Sequence, residues 1–565
     1  MGEADWDAVY SVHVDASFAL TKAAWPLFVK QKYGRIVMTA SAAGIYGNYG
    51  QANYSAAKHA LYGLAKTLAI EGATKNIYCN VIAPLAASKM TETVMPPEML
   101  QLLKPDYVAP FVVFLSSSQC NENGSLFEIG GGFAAKMRIQ RSEGIIMNTS
   151  KESFNLAEIE SKFEKVFDFS KSKYPNAITD TDWISLAEQS AKQDSPLIDT
   201  SLGRNVFKGQ VALVTGAGNG LGKAYALYLA SNGCAVAVND FNKQAADAVV
   251  AAIKQKGGKA IAIVESVENA KSIVDQVIAA FSRLDILINN AGILRDKSFI
   301  KMTEADWHQV QRVHLRSTFL LMKAVFPLMQ KQKYGKILNT SSAVGLYGNF
   351  GQANYSAAKS GIIGLSKTVA IEGEKHGISV NVIAPNAGTL MTATILPPEV
   401  VELLKPEFVA PFAAFLVSPL CKSTGKVFEV GSGWIASVRW ERAGGLFMAD
   451  NLSVNEIVGR WKEVVDFSKP SYPTLASDSL STILSFAQAK KEKSEPYRYD
   501  GKQVILYNLG VGAKATQLHY SYENSLHFQP VMSFSVIPGF SSIMSNSLDD
   551  YISDYNPVQC ELIDR

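Results

Sequence analysis

Residues 50–58 and 351–359 carry the same nine residues, GQANYSAAK. The identity belongs to a longer register. MGEADWDAVYSVHVDASFAL at residue 1 parallels MTEADWHQVQRVHLRSTFLL at residue 302, and QKYGRIVMTASAAGIYGNYG parallels QKYGKILNTSSAVGLYGNFG. NVIAP occurs at 80–84 and 381–385, and LLKPDYVAPF is answered by LLKPEFVAPF. The segment FEKVFDFSKSKYP, ending at Pro175, returns as WKEVVDFSKPSYP, ending at Pro473. Solenoid units run to about 20–50 residues, so a period of this length means two duplicated domains of one fold. The copies are unequal. The second has 97 residues upstream of Met302, from about Asn205, whereas the first starts at Met1 without that segment.

The extra segment alternates strand and helix. QVALVTG is a short apolar run of the kind buried in a parallel sheet. A glycine-rich turn, the helical LGKAYALYLASNG, the strand AVAVND, the helical KQAADAVVAAIKQKGG and the strands KAIAIVES and LDILINNAG follow. YGKILNTSS, SVNVIAP and KVFEVGSG predict three further strands with helices between them. Such alternation implies an α/β fold, a doubly wound Rossmann-like parallel sheet, in tandem. The first copy is expected to keep only the last three strands. The organisation read from the sequence is an incomplete copy at 1–176, a polar linker at 177–204, a complete copy at 205–474, a second linker at 475–499 and an unrelated piece at 500–565.

Composition excludes several classes. Apolar residues make up 47% and charged residues 19%, with a net charge of +3, so no basic surface for nucleic acid is implied. Seven His residues form no metal-spaced cluster, and no apolar run is long enough for a membrane span. Cys79, Cys120, Cys234, Cys421 and Cys560 are scattered and odd in number, as expected for buried free thiols in a reducing compartment. The polar, acidic MGEADWDAVY is no signal peptide, and a soluble intracellular protein is expected.

The chemistry concentrates in the second copy. TGAGNGLG places Gly216, Gly220 and Gly222 between a strand and a helix. Backbone N–H groups can there approach a pyrophosphate at a helix N-terminus, though a tight turn alone would use the same glycines. Asp240 closes the next strand, where a carboxylate can accept from ribose hydroxyls and repel a 2′-phosphate; it can also simply start a turn. Ser342 ends a strand, Tyr355 follows, and Lys359 lies one helical turn beyond Tyr355 on the same face. An ammonium beside a phenol favours phenolate, so Tyr355 is expected to act as general base and Ser342 to hold the substrate oxygen.

Glycine turn, NNAG at 289–292, Ser342, Tyr355 and Lys359, in that order, strongly resemble the short-chain dehydrogenase/reductase family. The resemblance implies that Asn290, Ala291 and Gly292 lie beside the cofactor, that Lys359 and Tyr355 also hold it, and that the segment Pro385 to Thr392 covers it. One position departs from the family. His314, with His13 as its duplicate, stands where an Asn usually supports a water relay; it is either a packed helix residue or a proton relay.

The tandem arrangement, NNAGILRDKSF, WERAGG and the doubled DFSK tails resemble the fungal peroxisomal multifunctional enzyme type 2 family. That family joins two (3R)-3-hydroxyacyl-CoA dehydrogenase units to a (3R)-enoyl-CoA hydratase of hot-dog α+β fold. VILYNLGVGAKATQLHYSYENSLHFQPVMSFSVIPG resembles the opening of that hydratase, shortened here. The implied reaction is oxidation of 3-hydroxyacyl-CoA with NAD, carried by the second copy. Hydratase activity is expected to be absent, since DYNPVQ at 554–559 has Gln559 where the catalytic motif needs His.

The first copy keeps Ser41, Tyr54, Lys58 and His13 without a glycine turn, ribose carboxylate or NNAG. It is expected to be catalytically vestigial, surviving as the partner in a pseudo-dimer of the two copies, with a homodimer also possible. The family implies a peroxisomal location, but ELIDR is no Ser-Lys-Leu-type address, which leaves the cytosol open. Two other readings stay open: a truncated non-enzymatic scaffold or remnant, and a 3-oxoacyl-thioester reductase working in the synthetic direction.

Overall fold

The computed structural model describes residues 1–494 except 90, 93–94, 150–154, 194–204, 389–400, 402 and 449–452. Thr392, Cys560, DYNPVQ and the whole piece 500–565 lie outside the described residues. Two compact bodies divide the chain, Met1–Leu484 and Ser485–Arg565, and both copies of the repeat belong to the first.

Among the described residues, fourteen strands form one sheet. In chain order they are β1 (Gly34–Thr39), β2 (Ile77–Leu85), β3 (Leu126–Gly130), β4 (Phe133–Arg141), β5 (Ile145–Ile146), β6 (Val211–Thr215), β7 (Ala235–Asp240), β8 (Ala260–Val264), β9 (Ile286–Asn289), β10 (Gly335–Thr340), β11 (Ile378–Pro385), β12 (Val427–Gly431), β13 (Trp434–Arg442) and β14 (Leu446–Phe447). The order across the sheet is β8-β7-β6-β9-β10-β11-β12-β13-β4-β3-β2-β1. From β8 to β12 every pairing is parallel, the doubly wound half expected from the alternation. β6 and β10 are buried along their whole length, as helices on both faces require. The strand order switches at β6, which has β7 on one side and β9 on the other, and in doubly wound sheets ligands bind at the carboxyl ends of the strands at such a switch point.

The expectation of three strands in the first copy needs correcting. Besides β1, β2 and β3 it contributes β4 and β5. Lys, Arg and Gln interrupt FAAKMRIQR, and the equivalent WIASVRWER is likewise charged. Neither resembles an apolar parallel strand, yet β4 and β13 pair antiparallel and fuse the two copies into one sheet. Their charges are absorbed reciprocally. Arg141 of β4 meets Glu429 of β12 at 3.0 Å, and Arg442 of β13 meets Glu128 of β3 at 3.0 Å, all four side chains at most 5% exposed. The segments read as linkers also carry packed helices. Trp183 of Trp183–Lys192 lies edge-on to Trp434, Ser190 donates to the Met147 carbonyl, and Arg442 donates to Thr482 of Ala476–Ser494.

A local dyad relates the copies. It passes between Ile139 and Trp440, which face each other across β4 and β13, and between the helices Ala52–Gly72 and Ala353–Gly373. There His59 Nδ1 lies 2.8 Å from Ser360 Oγ, its own duplicate 301 residues on. Gly63 and Gly364 let the helices touch, since a Cβ on either would strike a backbone oxygen of Ser356 or Ser55. Aromatic stacks extend the contact, Trp6 on Phe319 at 4.1 Å and Phe18 on Trp307 at 4.2 Å. The paired copies expected from the sequence are therefore one continuous core.

β1 ends the sheet, and the position that β9 holds beside β10 has no strand in the first copy among the described residues. The neighbouring helix Ala16–Gln31 shows the same asymmetry. Leu20 is 74% exposed, whereas its duplicate Leu321 is 1% exposed beneath the helix Ala270–Phe281. Cys79, Cys120, Cys234 and Cys421 are buried free thiols as expected. No helix among the described residues is long and apolar enough to cross a membrane.

Candidate active site

Five strand ends build the site. β6 runs into the turn whose Gly216 and Gly220 take positive φ, +61° and +52°. A Cβ on Gly216 would lie 2.8 Å from the Ala291 Cα, and one on Gly222 would strike the Gly216 carbonyl. Only glycine leaves this cradle open. β7 ends at Asp240, which is buried; its Oδ2 accepts the Gly218 N–H at 2.9 Å and its Oδ1 that of Asn242 at 3.0 Å. Each oxygen retains a further lone pair for a ribose hydroxyl. β9 delivers NNAG. Thr215 Oγ1 accepts the N–H groups of Asn290 and Ala291, and the Asn290 amide donates to the carbonyls of Thr215 and Gly216. These residues fit a dinucleotide: the glycine cradle, the Asp240 carboxylate with its remaining lone pairs and the loop braced by Thr215 stand at the ends of neighbouring strands. Pro385 ends β11 opposite Val430, beside the undescribed stretch that includes Thr392.

β10 supplies the reacting half. Ser342 caps the short helix Ala343–Tyr347, with Oγ accepting from Val344 N at 3.2 Å, and also hydrogen-bonds Tyr355. Tyr355 and Lys359 sit on one face of Ala353–Gly373, the ammonium nitrogen 5.5 Å from the phenol ring centre. Lys359 donates to the Thr340 carbonyl at 2.7 Å. The electrostatics differ from the sequence expectation. Burial pushes Tyr355 up to about 12, the Ser342 hydrogen bond opposing and Asp296 adding to it. Burial holds Lys359 down to about 7. Desolvation thus outweighs the help an ammonium gives to phenolate, and near neutral pH it is the lysine that titrates.

His314 lies in a π-helical turn, Arg312–Arg316, and its ring meets that of Tyr355 edge-on at 5.2 Å. Nε2 is within 3.0 Å of both the N–H and the carbonyl of Ile293, while Nδ1 is buried without a protein partner. Gly292 makes room for it, because a Cβ there would strike the imidazole. Burial, followed by the Lys359 charge, lowers its pKa well below the usual histidine value, so the ring is neutral.

The first copy repeats the geometry, with no glycine cradle beside it among the described residues. Ser41 Oγ accepts from Ala43 N at 3.3 Å, Lys58 donates to the Thr39 carbonyl at 2.8 Å, and His13 meets Tyr54 edge-on at 5.4 Å. Burial raises Tyr54 and lowers Lys58 to about 8 and His13 to about 4. Sequence reasoning missed the partners that brace the second copy's cleft. Gln352 donates to Asp296 at 2.8 Å, and Glu71 of the first copy accepts from Phe299 and Gly351. The repeated AIEG at 69–72 and 370–373 was the available signal for Glu71.

The short chain dehydrogenase family matches residues 1–98 and 210–397, half of the chain, and the chain belongs to that family. The MFE-2 hydratase 2 N-terminal domain matches residues 497–560. Among curated proteins, a peroxisomal hydratase-dehydrogenase-epimerase of Neurospora crassa is 46% identical over 99% of this chain, and one of Saccharomyces cerevisiae 41% identical over 98%. The chain spans 65% and 64% of the length of those two relatives. A solved full-length peroxisomal multifunctional enzyme type 2 of Drosophila melanogaster is 37% identical over 60% of this chain and 62% of its own, with a TM-score of 0.46.

Proposed function

We propose that the second copy is an NAD-dependent dehydrogenase for (3R)-3-hydroxyacyl-CoA, acting in fatty-acid β-oxidation, and that turnover by this chain depends on Tyr355 and not on Tyr54. What supports this is the chain of contacts that joins the two halves: Gly216 lies against Ala291, Gly292 against His314, and His314 against Tyr355. The similarity to hydratase-dehydrogenase-epimerases supports the acyl-CoA substrate and a peroxisomal location. The piece 500–565 resembles the opening of a hydratase domain.

Gly216, Gly220, Gly222, Asp240, Asn290, Ala291, Gly292, Tyr355, Lys359 and Pro385, with Thr392, would hold the dinucleotide, Asp240 selecting the unphosphorylated ribose. Bound there, NAD supplies the hydride acceptor. The chain supplies the rest. Ser342 and Tyr355 hold the substrate oxygen, and Tyr355 takes its proton as its own proton passes toward Lys359. Lys359, near pKa 7, is the group able to accept at working pH. His314, neutral and buried against Gly292, fixes the wall behind the phenol.

NADH formation from a medium-chain (3R)-3-hydroxyacyl-CoA, measured on the full chain, Tyr355→Phe and Tyr54→Phe, tests this reading. Loss in Tyr355→Phe alone is expected. A comparable loss in Tyr54→Phe, equal turnover with NADP, or no turnover in the unmutated chain would overturn it.

A further inference from the structure

Two segments of the second copy wall the cleft beside Tyr355. One is 295–300, directly after NNAGIL; the other is 349–352, directly before the helix that carries Tyr355. They are tied to each other. Lys297 N donates to the Gly351 carbonyl at 2.8 Å, Gln352 to Asp296 at 2.8 Å, and Asn354 to the Arg295 carbonyl at 3.0 Å. The charge of Asp296 is felt at Tyr355, which puts this wall within electrostatic reach of the reacting oxygen.

Their outer side is held by the first copy. The Glu71 carboxylate accepts the Phe299 N–H on Oε2 at 2.6 Å and the Gly351 N–H on Oε1 at 3.1 Å, one oxygen for each segment. Lys22 donates to the carbonyls of Phe299 and Ile300 at 2.6 and 2.8 Å, and its charge reaches Glu71. Thr67 Oγ1 accepts from Asn349 N at 3.3 Å. The Phe299 ring is boxed edge-on by Trp25 at 5.1 Å and Phe18 at 5.7 Å. Charge-assisted bonds to two backbone N–H groups fix both geometry and spacing, which a purely apolar contact does not. The duplicate Glu372 accepts the Gly50 N–H of the first copy at 2.9 Å.

We infer that Glu71, a residue of the first copy, is a positioning residue for the other copy's active site: it staples segments 295–300 and 349–352 at the spacing the substrate requires. The inference rests on the dehydrogenase reading of the second copy. It gives the first copy a task in the second copy's cleft. Small displacements of such walls cost about tenfold to a hundredfold in rate.

The test uses the full chain and compares the unmutated protein with Glu71→Ala, Glu71→Gln and Tyr355→Phe. Amide hydrogen exchange is followed over 297–300 and 349–352, with kcat and KM for the acyl-CoA substrate at saturating NAD. In Glu71→Ala, exchange rises in both segments together and kcat/KM falls about tenfold or more, mostly through KM. Glu71→Gln, which keeps one acceptor oxygen, is intermediate. Tyr355→Phe loses turnover with exchange unchanged. Unaltered exchange in Glu71→Ala, or altered exchange with kcat/KM within about twofold of the unmutated chain, overturns the inference. If the unmutated chain shows no turnover, the dehydrogenase reading fails and this role with it, while unaltered exchange alone would defeat the staple and leave that reading standing.

Discussion

His59 makes the dyad pH-sensitive. The ring is 3% exposed, Nδ1 is engaged with Ser360, and Nε2 is buried without a partner. Burial, and then the charge of Lys367, lowers its pKa from 6.5 to about 3. In the unfolded chain the imidazole regains its usual value, so between pH 3 and 6.5 the unfolded state binds the extra proton. The neutral ring's contribution is therefore fully present above pH 6.5 and lost as pH falls below it. At pH 5, about 1.5 units below the unfolded value, the loss is about 2 kcal/mol. His59→Asn keeps a polar partner for Ser360 but has no proton to gain. Urea unfolding of the full chain at pH 7.5 and pH 5.0 should show the unmutated protein losing about 2 kcal/mol more than the variant. Equal losses, or a larger loss in the variant, would refute the reasoning.

Four further outcomes are expected. Gly63→Ala drives a methyl into the Ser356 carbonyl and should destabilise the chain by about 1–3 kcal/mol in the same unfolding assay. Arg442→Met strands the Glu128 carboxylate at 0% exposure and should cost about 3–5 kcal/mol, with Glu128→Gln added on top recovering part of it. Asp240→Ala should narrow the preference for NAD over NADP by about tenfold or more, about 1.4 kcal/mol, read by calorimetric titration of both dinucleotides. Alcohol oxidation should rise as pH increases through about 7, where Lys359 loses its proton, and a flat profile from pH 6 to 8 would exclude the lysine as acceptor.

What the sequence disclosed and what it hid divide on physical grounds. Short-range signals were legible: the β-branched run of β6, the glycines forced into positive φ at 216 and 220, and the helical spacing of Tyr355 and Lys359. β4 and β13 were missed because each looks too polar for an interior strand alone. Arg141 and Arg442 become tolerable only opposite Glu429 and Glu128, which lie 288 and 314 residues away. The pKa of Tyr355 was misjudged for a related reason. Spacing reveals a neighbouring ammonium, whereas the desolvation that outweighs it depends on the whole surrounding core. His314 was left between packing and relay, and only the fold reveals its tight seat against Gly292.

The seam between β4 and β13 also sets a timetable for synthesis. Equivalent positions of the copies are 301 residues apart, so at ribosomal speeds β4 emerges about 15–60 s before the strand that will cover it. Throughout that interval β4 is an edge that any nascent neighbour could join. Lys136, Arg138 and Arg141 lie along it; Lys136 pairs with Glu122, made just before it, while Arg138 and Arg141 later find Glu441 and Glu429. Two of those acids belong to the second copy. The arginines that make β4 unattractive to a stranger during translation are thus the ones that recognise its proper partner when β12 and β13 arrive.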